Sequence, residues 1–467
     1  MTKTEKGNRN ILSLLAGGKR DVDMTEGSII RHLIVFALPL LIGNIFQQLY
    51  NTVDTWVVGN YVSNEAFSAV GSVGPIINTL IGFFTGLSSG AGAVISQYYG
   101  AKKYDKVNEA VHTSVVMTLI LSVIFTVVGI LITPAMLGFM KTPTEVMPES
   151  RAYLTIYFAG IAGLMIYNIG SGILRAVGDS TRPFLFLVVS AVINTVLDLV
   201  FVIGFHMGVD GVAYATVIAQ GVSALLVIIT LMRTDTCVKL RVKDLRLNFE
   251  TLGKIVGIGF PAAIQLAITA FSNVFVQSYI NHFGPDCMSG WTAYSKIDQL
   301  ALLPMQSLAL AATTFVGQNV GKNDEKRAKK GATSAVFMAI IITVVLMIPI
   351  MIFAPYLVAF LNNKPEVIEY GTTILRLQSP FYVLCCVNQI YAGVLRGSGK
   401  SRVPMITMLF SFVVFRQCYL YIMANYISNE IIPIALAYPA GWLMASILVT
   451  IYYKKTSLTK NRVTAIE

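Results

Sequence analysis

Twelve runs of predominantly apolar residues follow one another along the chain, near 29–58, 66–96, 110–133, 152–173, 183–205, 211–232, 255–281, 289–316, 331–354, 370–393, 404–426 and 431–453. A helix rises 1.5 Å per residue, so about 20 apolar residues cross a hydrocarbon core about 30 Å thick. Lipid offers backbone groups no hydrogen-bond partners, and each run must satisfy its own by becoming an α-helix. The expected fold is an all-α polytopic membrane protein with twelve transmembrane helices. Composition agrees, with 55% hydrophobic and 13% charged residues, and excludes a soluble enzyme. The leader, from Met1 to Ser28, is polar and shows no cleavable secretory signal.

The net charge of +11 would suggest nucleic acid if the basic residues were clustered on one soluble face. They are not. With an amino terminus in the cytoplasm, 29 of the 35 Lys and Arg fall in the leader, at Arg31 just inside the first span, in the cytoplasmic connections or in the tail. That is the positive-inside bias, and it predicts both termini on the cytoplasmic side and no nucleic-acid partner.

An internal repeat organises the chain. GILRAVGDSTRP, residues 172–183, matches GVLRGSGKSRVP, residues 393–404, at six of twelve positions with an offset of 221. The same offset carries Gln97 and Gly100 onto Gln318 and Gly321, and an offset of 222 carries Pro39 onto Pro261 and Asn51 onto Asn273. Six spans per copy is an even number, so both copies enter the membrane in the same orientation. Two pseudo-symmetric six-helix lobes in a parallel repeat follow, with a substrate path between them. The expected divisions are a leader (1–28), a first lobe (29–232), a cytoplasmic connector (233–254), a second lobe (255–453) and a tail (454–467). The connector reads as a solvated loop or short surface helix.

Ionisable residues inside hydrocarbon are costly enough to mark a function. Asp54 in the first span and Asp198 in the fifth are the two that stand out. At about 100° per residue, Asn44, Gln47, Gln48, Asn51, Asp54 and Thr55 share one arc of about 120°, a stripe that must face protein or water. Ser190, Asn194 and Asp198 form a second stripe at i, i+4, i+8, and Thr216 with Gln220 a shorter third. The seventh span carries Gln265, Thr269, Ser272 and Asn273 but no acid, so ion handling is expected in the first half. Lys296 and Asp298 in the eighth span are the rival location, two positions apart and therefore not on one helix face. Arg416 reads as snorkelling or paired.

Other chemistries lack their motifs. RGSGKS, residues 396–401, is a phosphate-loop decoy with Val394 where glycine is required, so no nucleotide is expected. Four dispersed histidines and five scattered cysteines give neither a metal site nor a disulfide framework. No cofactor is expected. Uphill transport without a nucleotide-binding domain must draw on an ion gradient, and buried carboxylates can do so because proton, cation and cationic substrate exclude one another at the same acid.

The first-helix LP followed fifteen positions on by VD, the Q-x-x-G loops at 97 and 318, the two G-x-L-R segments and the six-plus-six repeat together resemble the multidrug and toxic compound extrusion (MATE) family, covering residues 29–453. The likeness is to its prokaryotic, DinF-like branch. It implies a multi-pass protein of a prokaryotic plasma membrane, expected as a monomer among membrane lipids. Asp54 and Asp198 would be coupling carboxylates, and Asn194 and Thr216 would complete a cation site, possible for Na+, with Asp198. Gln47 would line the cavity beside Asn44, Gln48 and Asn51, and Pro39 would mark a helix bend. In another branch the second lobe carries two acids where this chain has Thr269 and Cys385. The implied activity is antiport of amphipathic or cationic small organic compounds against H+ or Na+ by alternating access. The alternatives are an exporter or flippase of a lipid-linked or endogenous metabolite and, from other classes, a channel or a membrane receptor.

Overall fold

The computed structural model describes residues 22–62, 64–140, 142–428, 430–460 and 462–465. Among them every regular element is a helix, with no strand. In the first half the helices are α1 (Ile29–Tyr61), α2 (Asn64–Gly100), α3 (Tyr104–Phe139), α4 (Met147–Ala159), α5 (Ile161–Ala176), α6 (Thr181–Asp198) and α7 (Gly208–Arg233). The second half follows with α8 (Phe249–Asn281), α9 (Pro285–Gly321), α10 (Glu325–Ile352), α11 (Ala354–Leu361), α12 (Pro365–Gln378) and α13 (Tyr382–Gly397). It ends with α14 (Arg402–Leu409), α15 (Arg416–Ile422), α16 (Ile431–Ala435) and α17 (Ala437–Lys455).

Ten helices among the described residues are long and apolar enough to cross a membrane, and the pair α4–α5, bent by 47°, makes an eleventh. The remaining expected run, the tenth at 370–393, is not one apolar helix. It is α12 and α13 joined by a 3₁₀ turn at Ser379–Phe381, because Pro380 lacks an N–H to continue the helix and Gln378, Asn388 and Gln389 dilute its apolar character. Its counterpart in the first copy is the bent α4–α5 pair. The connector is a loop with a short 3₁₀ helix at Val242–Asp244, held to the first half at a few points. Val238 and Leu240 are buried in the core formed by α2, α3 and α7, and Leu240 N–H donates to the Leu231 carbonyl at 2.8 Å. Asn108 Nδ2 of α3 also donates to the Lys239 carbonyl at 2.9 Å.

The repeat is written into the backbone. Lys102 and Asn323, equivalent under the offset of 221, both take left-handed φ, 57° and 66°, and so do Gly178 and Gly399 at 90° and 86°. At Gly178 this is also a close approach, since a Cβ would lie 2.5 Å from the Val22 carbonyl oxygen.

The halves exchange their first helices. Near its amino end α1 buries Leu33, Phe36, Ala37 and Leu40 in a core with α9, α10 and α13 of the second half. Farther along, Val57 and Val58 return to a core with α4 and α7 of their own half. In α8, Ile255 and Ile258 pack with the first half, whereas Val276 and Ile280 pack with the second. Small residues permit the crossing of α2 and α8: a Cβ on Gly90 would sit 2.2 Å from Gly259 Cα, and one on Gly86 2.4 Å from Ala263 Cα. The two Q-x-x-G glutamines complete the seal. Gln97 Nε2 donates to the Gly397 carbonyl at 2.8 Å and Gln318 Nε2 to the Ala176 carbonyl at 3.0 Å, so donors and acceptors alike are related by the repeat. Their Oε1 atoms accept from Val463 N–H at 2.9 Å and from Met24 N–H at 2.8 Å. The basic end of the molecule is thus tied shut by both terminal segments.

Candidate functional site

With the basic ends held together, the polar stripe of α1 lies beyond the contact with the second half. Asn44 is the last residue of the stripe that reaches across, its Nδ2 at 3.5 Å from Ser307 Oγ. Gln47 and Gln48 are partly exposed and Asn51 is exposed, and polar groups cannot present themselves to lipid at that depth. The stripe therefore borders a wet cleft between the halves. Asp54 ends the described stripe and is buried; the Thr55 side chain lies outside the described residues.

Asp54 meets Asp198. The two carboxyl groups lie close enough to interact directly, one from α1 and one from the last residue of α6, where a π-turn at Leu199–Gly204 begins. A π-turn changes the register of every side chain after it and often marks a functional position. Asp198 is 0% exposed, and neither of its oxygens, nor Asp54 Oδ1, has a hydrogen-bond partner among the described residues. Asn194, one turn earlier on α6, is buried with both amide atoms likewise unpartnered. Thr216 on α7 is buried and gives its hydroxyl hydrogen to the Val212 carbonyl at 3.0 Å, which leaves its oxygen lone pairs to accept.

Tyrosines close the chamber. Tyr153 of α4 interacts with both acids and with Thr216, and Tyr50 of α1 with Asp54 and Gln47. Tyr157, which faces Gln220, stacks with Tyr153 at 6.5 Å between ring centroids and 13° between planes. Sequence reasoning passes over these rings, since aromatic residues in apolar spans ordinarily read as core. An unpartnered carboxylate in such a place carries a large desolvation cost, which a proton or a cation would remove. The donor set of Asp198, Asn194 and Thr216 consists of hard oxygens, the chemistry a small hard cation prefers.

The second half brings a different group together. Asp298 accepts a hydrogen bond from Tyr382, Tyr294 donates to Gln378 Oε1 at 2.6 Å, and Cys385 is buried close to Asp298. Lys296 is exposed and points elsewhere, as positions i and i+2 on a helix must. Thr269 donates to the Gln265 carbonyl at 2.7 Å. Arg416 does not snorkel: it is 1% exposed and bonded to Ser272 and Asn273.

The MatE family model matches residues 39–200 and again 261–422, two copies that together cover more than half of the chain at the offset of 222 that joins Pro39 to Pro261. The chain belongs to the MatE family. Probable multidrug resistance protein YpnP of Bacillus subtilis is 30% identical over 432 residues, 92% of this chain and 96% of that one. Multidrug export protein MepA of Staphylococcus aureus is 23% identical over 389 residues, 83% and 86% of the two chains. Among solved structures, a MATE family transporter of the MOP superfamily in an outward-facing conformation superposes with a TM-score of 0.88 at 24% identity, covering 94% of this chain and 98% of that one. A crystal structure of MATE in complex with MaL6 gives 0.88 at 24% identity over 95% and 100%. The protein is therefore a multi-pass MATE transporter of the prokaryotic branch, of the multidrug efflux family and not an enzyme, and its fold is the two-lobed one.

Proposed function

We propose that this transporter is an antiporter that exports amphipathic cationic organic compounds in exchange for H+ or Na+, with Asp54 and Asp198 as the coupling groups. The observation that carries the reading is the buried carboxylate pair with unpartnered oxygens at the wall of the cleft. Two facing carboxylates in a low-dielectric site cannot both stay ionised without compensation. A proton shared between them, a Na+ held by Asp198, Asn194 and Thr216, or the ammonium group of a substrate each supplies it, and each excludes the others. Pro39, which removes one backbone hydrogen bond from α1, lies where α1 is still packed on the second half, and is the proposed bend through which occupancy at Asp54 reaches the seal. The basic end is taken as cytoplasmic, so the cleft beside Asn51 opens outward.

The test is substrate flux in proteoliposomes under a pH gradient or a Na+ gradient imposed separately. Flux driven by either gradient is expected; flux indifferent to both would overturn antiport. The rival location is checked in the same vesicles. Neutralising the second half as Lys296→Met with Asp298→Asn is expected to change rate or substrate preference within about tenfold and to leave the gradient dependence intact, because Asp298 is hydrogen-bonded to Tyr382 and Lys296 stands apart. Loss of gradient dependence in that variant alone would move the coupling site to the second lobe.

A further inference from the structure

The second half holds a buried cation that the coupling reading does not use. Arg416 opens α15 directly after a π-turn at Phe410–Phe415. A π-turn contains one residue more than an α-turn, so the offset of 221 at Pro183 and Pro404 becomes 222 past it. Arg416 thereby takes the place in the second copy that Asn194 holds in the first, and a fixed guanidinium stands where the first lobe has part of its oxygen-lined chamber.

Its surroundings are built and neutral. Nη2 donates to Ser272 Oγ at 2.7 Å and to Asn273 Oδ1 at 3.0 Å. The guanidinium carbon lies 4.8 Å from the Tyr438 ring centroid and 5.4 Å from that of Phe412. Gly441 lets α17 come close, a Cβ there being 3.6 Å from Arg416 Cδ and 2.9 Å from Phe412. Nε is buried with no hydrogen-bond partner, and among the described residues no carboxylate pairs with the group. Taking a charge out of water without a counter-charge is expensive, and such a site is poised for an anion. Access comes through Asn273, which is exposed and belongs to the polar line Thr269, Asn273, Gln277 on α8, the counterpart of the α1 stripe.

We propose that Arg416 is an anion subsite of the cleft, which takes the carboxylate of a zwitterionic amphiphile whose ammonium end faces the first lobe. The proposal rests on the cleft being the substrate path. Guanidinium suits this role because it keeps its charge at all working pH and its planar fork matches a carboxylate. The two lobes then differ in kind: one offers negative charge that can be neutralised by an ion, the other positive charge that cannot be discharged.

The test needs no gradient. Binding to the purified transporter in lipid nanodiscs is followed by fluorescence titration with a quinolone carboxylic acid bearing a protonated piperazine, and with the ethyl ester of the same molecule. Wild type is expected to bind the acid at least about tenfold more tightly than the ester, the scale of one charge-assisted hydrogen bond. Arg416→Gln is expected to bring the ratio to about one by weakening the acid alone, and Arg416→Lys to keep part of it. Equal affinities in wild type, or a variant that weakens acid and ester alike, would overturn the subsite. Acid and ester carry the same ammonium group, so flux indifferent to both gradients would overturn antiport without changing the acid-to-ester ratio, and the two failures are read separately.

Discussion

Asp54→Asn and Asp198→Asn are each expected to abolish gradient-driven export, lowering the coupled flux by roughly two orders of magnitude or more, on the scale of removing a proton-exchanging group. Asparagine keeps the shape of the side chain and loses the charge that a proton, a Na+ or a substrate ammonium would compensate. Because both Asp198 oxygens and one of Asp54 are buried without partners, the same substitutions should leave thermal stability unchanged or raise it: an uncompensated buried charge is replaced by a neutral amide. Lost coupling with retained or increased melting temperature is the signature of a site whose strain is functional. Export at wild-type rate in both variants would refute the assignment, and a sharp fall in stability would mean that the pair serves the fold.

Much of this site can be read from the chain because helical periodicity acts locally. One turn of arithmetic gathers Asn44, Gln47, Gln48, Asn51 and Asp54 on a single face, and the spacing of Asn194 and Asp198 does the same on α6. That the two faces meet at a carboxylate pair is a tertiary fact, visible beforehand only as two costly residues in need of a common reason. The π-turns escape such reading. A wheel drawn at a constant pitch cannot show that one extra residue precedes Arg416, so its equivalence with Asn194 and its burial against Tyr438 depend on coordinates. The interrupted α12–α13 segment escapes for a related reason, since an apolar window averages over the Pro380 break.

The glutamine clasp shows the other side of the repeat. Gln97 and Gln318 are legible in the sequence as a repeat-related pair, but not what they hold. Each reaches the carbonyl at the end of a G-x-L-R helix in the opposite half, so the two motifs that betray the duplication are the two surfaces of one seal. Alternating access requires that seal to part, and its polar bonds are a reasonable place to part it: at a wet membrane face, water replaces a lost hydrogen bond at little net cost. The apolar crossing of α2 and α8 beside it has no such substitute.

Gly90→Val is for that reason expected to have a large effect on the conformational equilibrium. In the closed arrangement a Cβ on Gly90 would lie 2.2 Å from Gly259 Cα and 2.3 Å from Gly259 N, against about 3.5 to 4 Å for carbon atoms in contact. The obstacle is backbone, which no rotamer change relieves, so α2 and α8 must separate. Overpacking of this kind costs about 1 to 3 kcal/mol, which at about 1.4 kcal/mol per decade is roughly a 5- to 150-fold shift against the closed basic end. The shift is read with a cysteine at Ile258, buried at this seam, in a background whose native cysteines are serine. Maleimide labelling from the basic side should rise in step with the shift while export falls and the protein remains folded, because the three atoms nearest a Cβ on Gly90 all belong to α8, in the other half. Unchanged labelling together with wild-type export would show that the crossing yields without opening, and that closure of the basic end rests on the glutamine clasp alone.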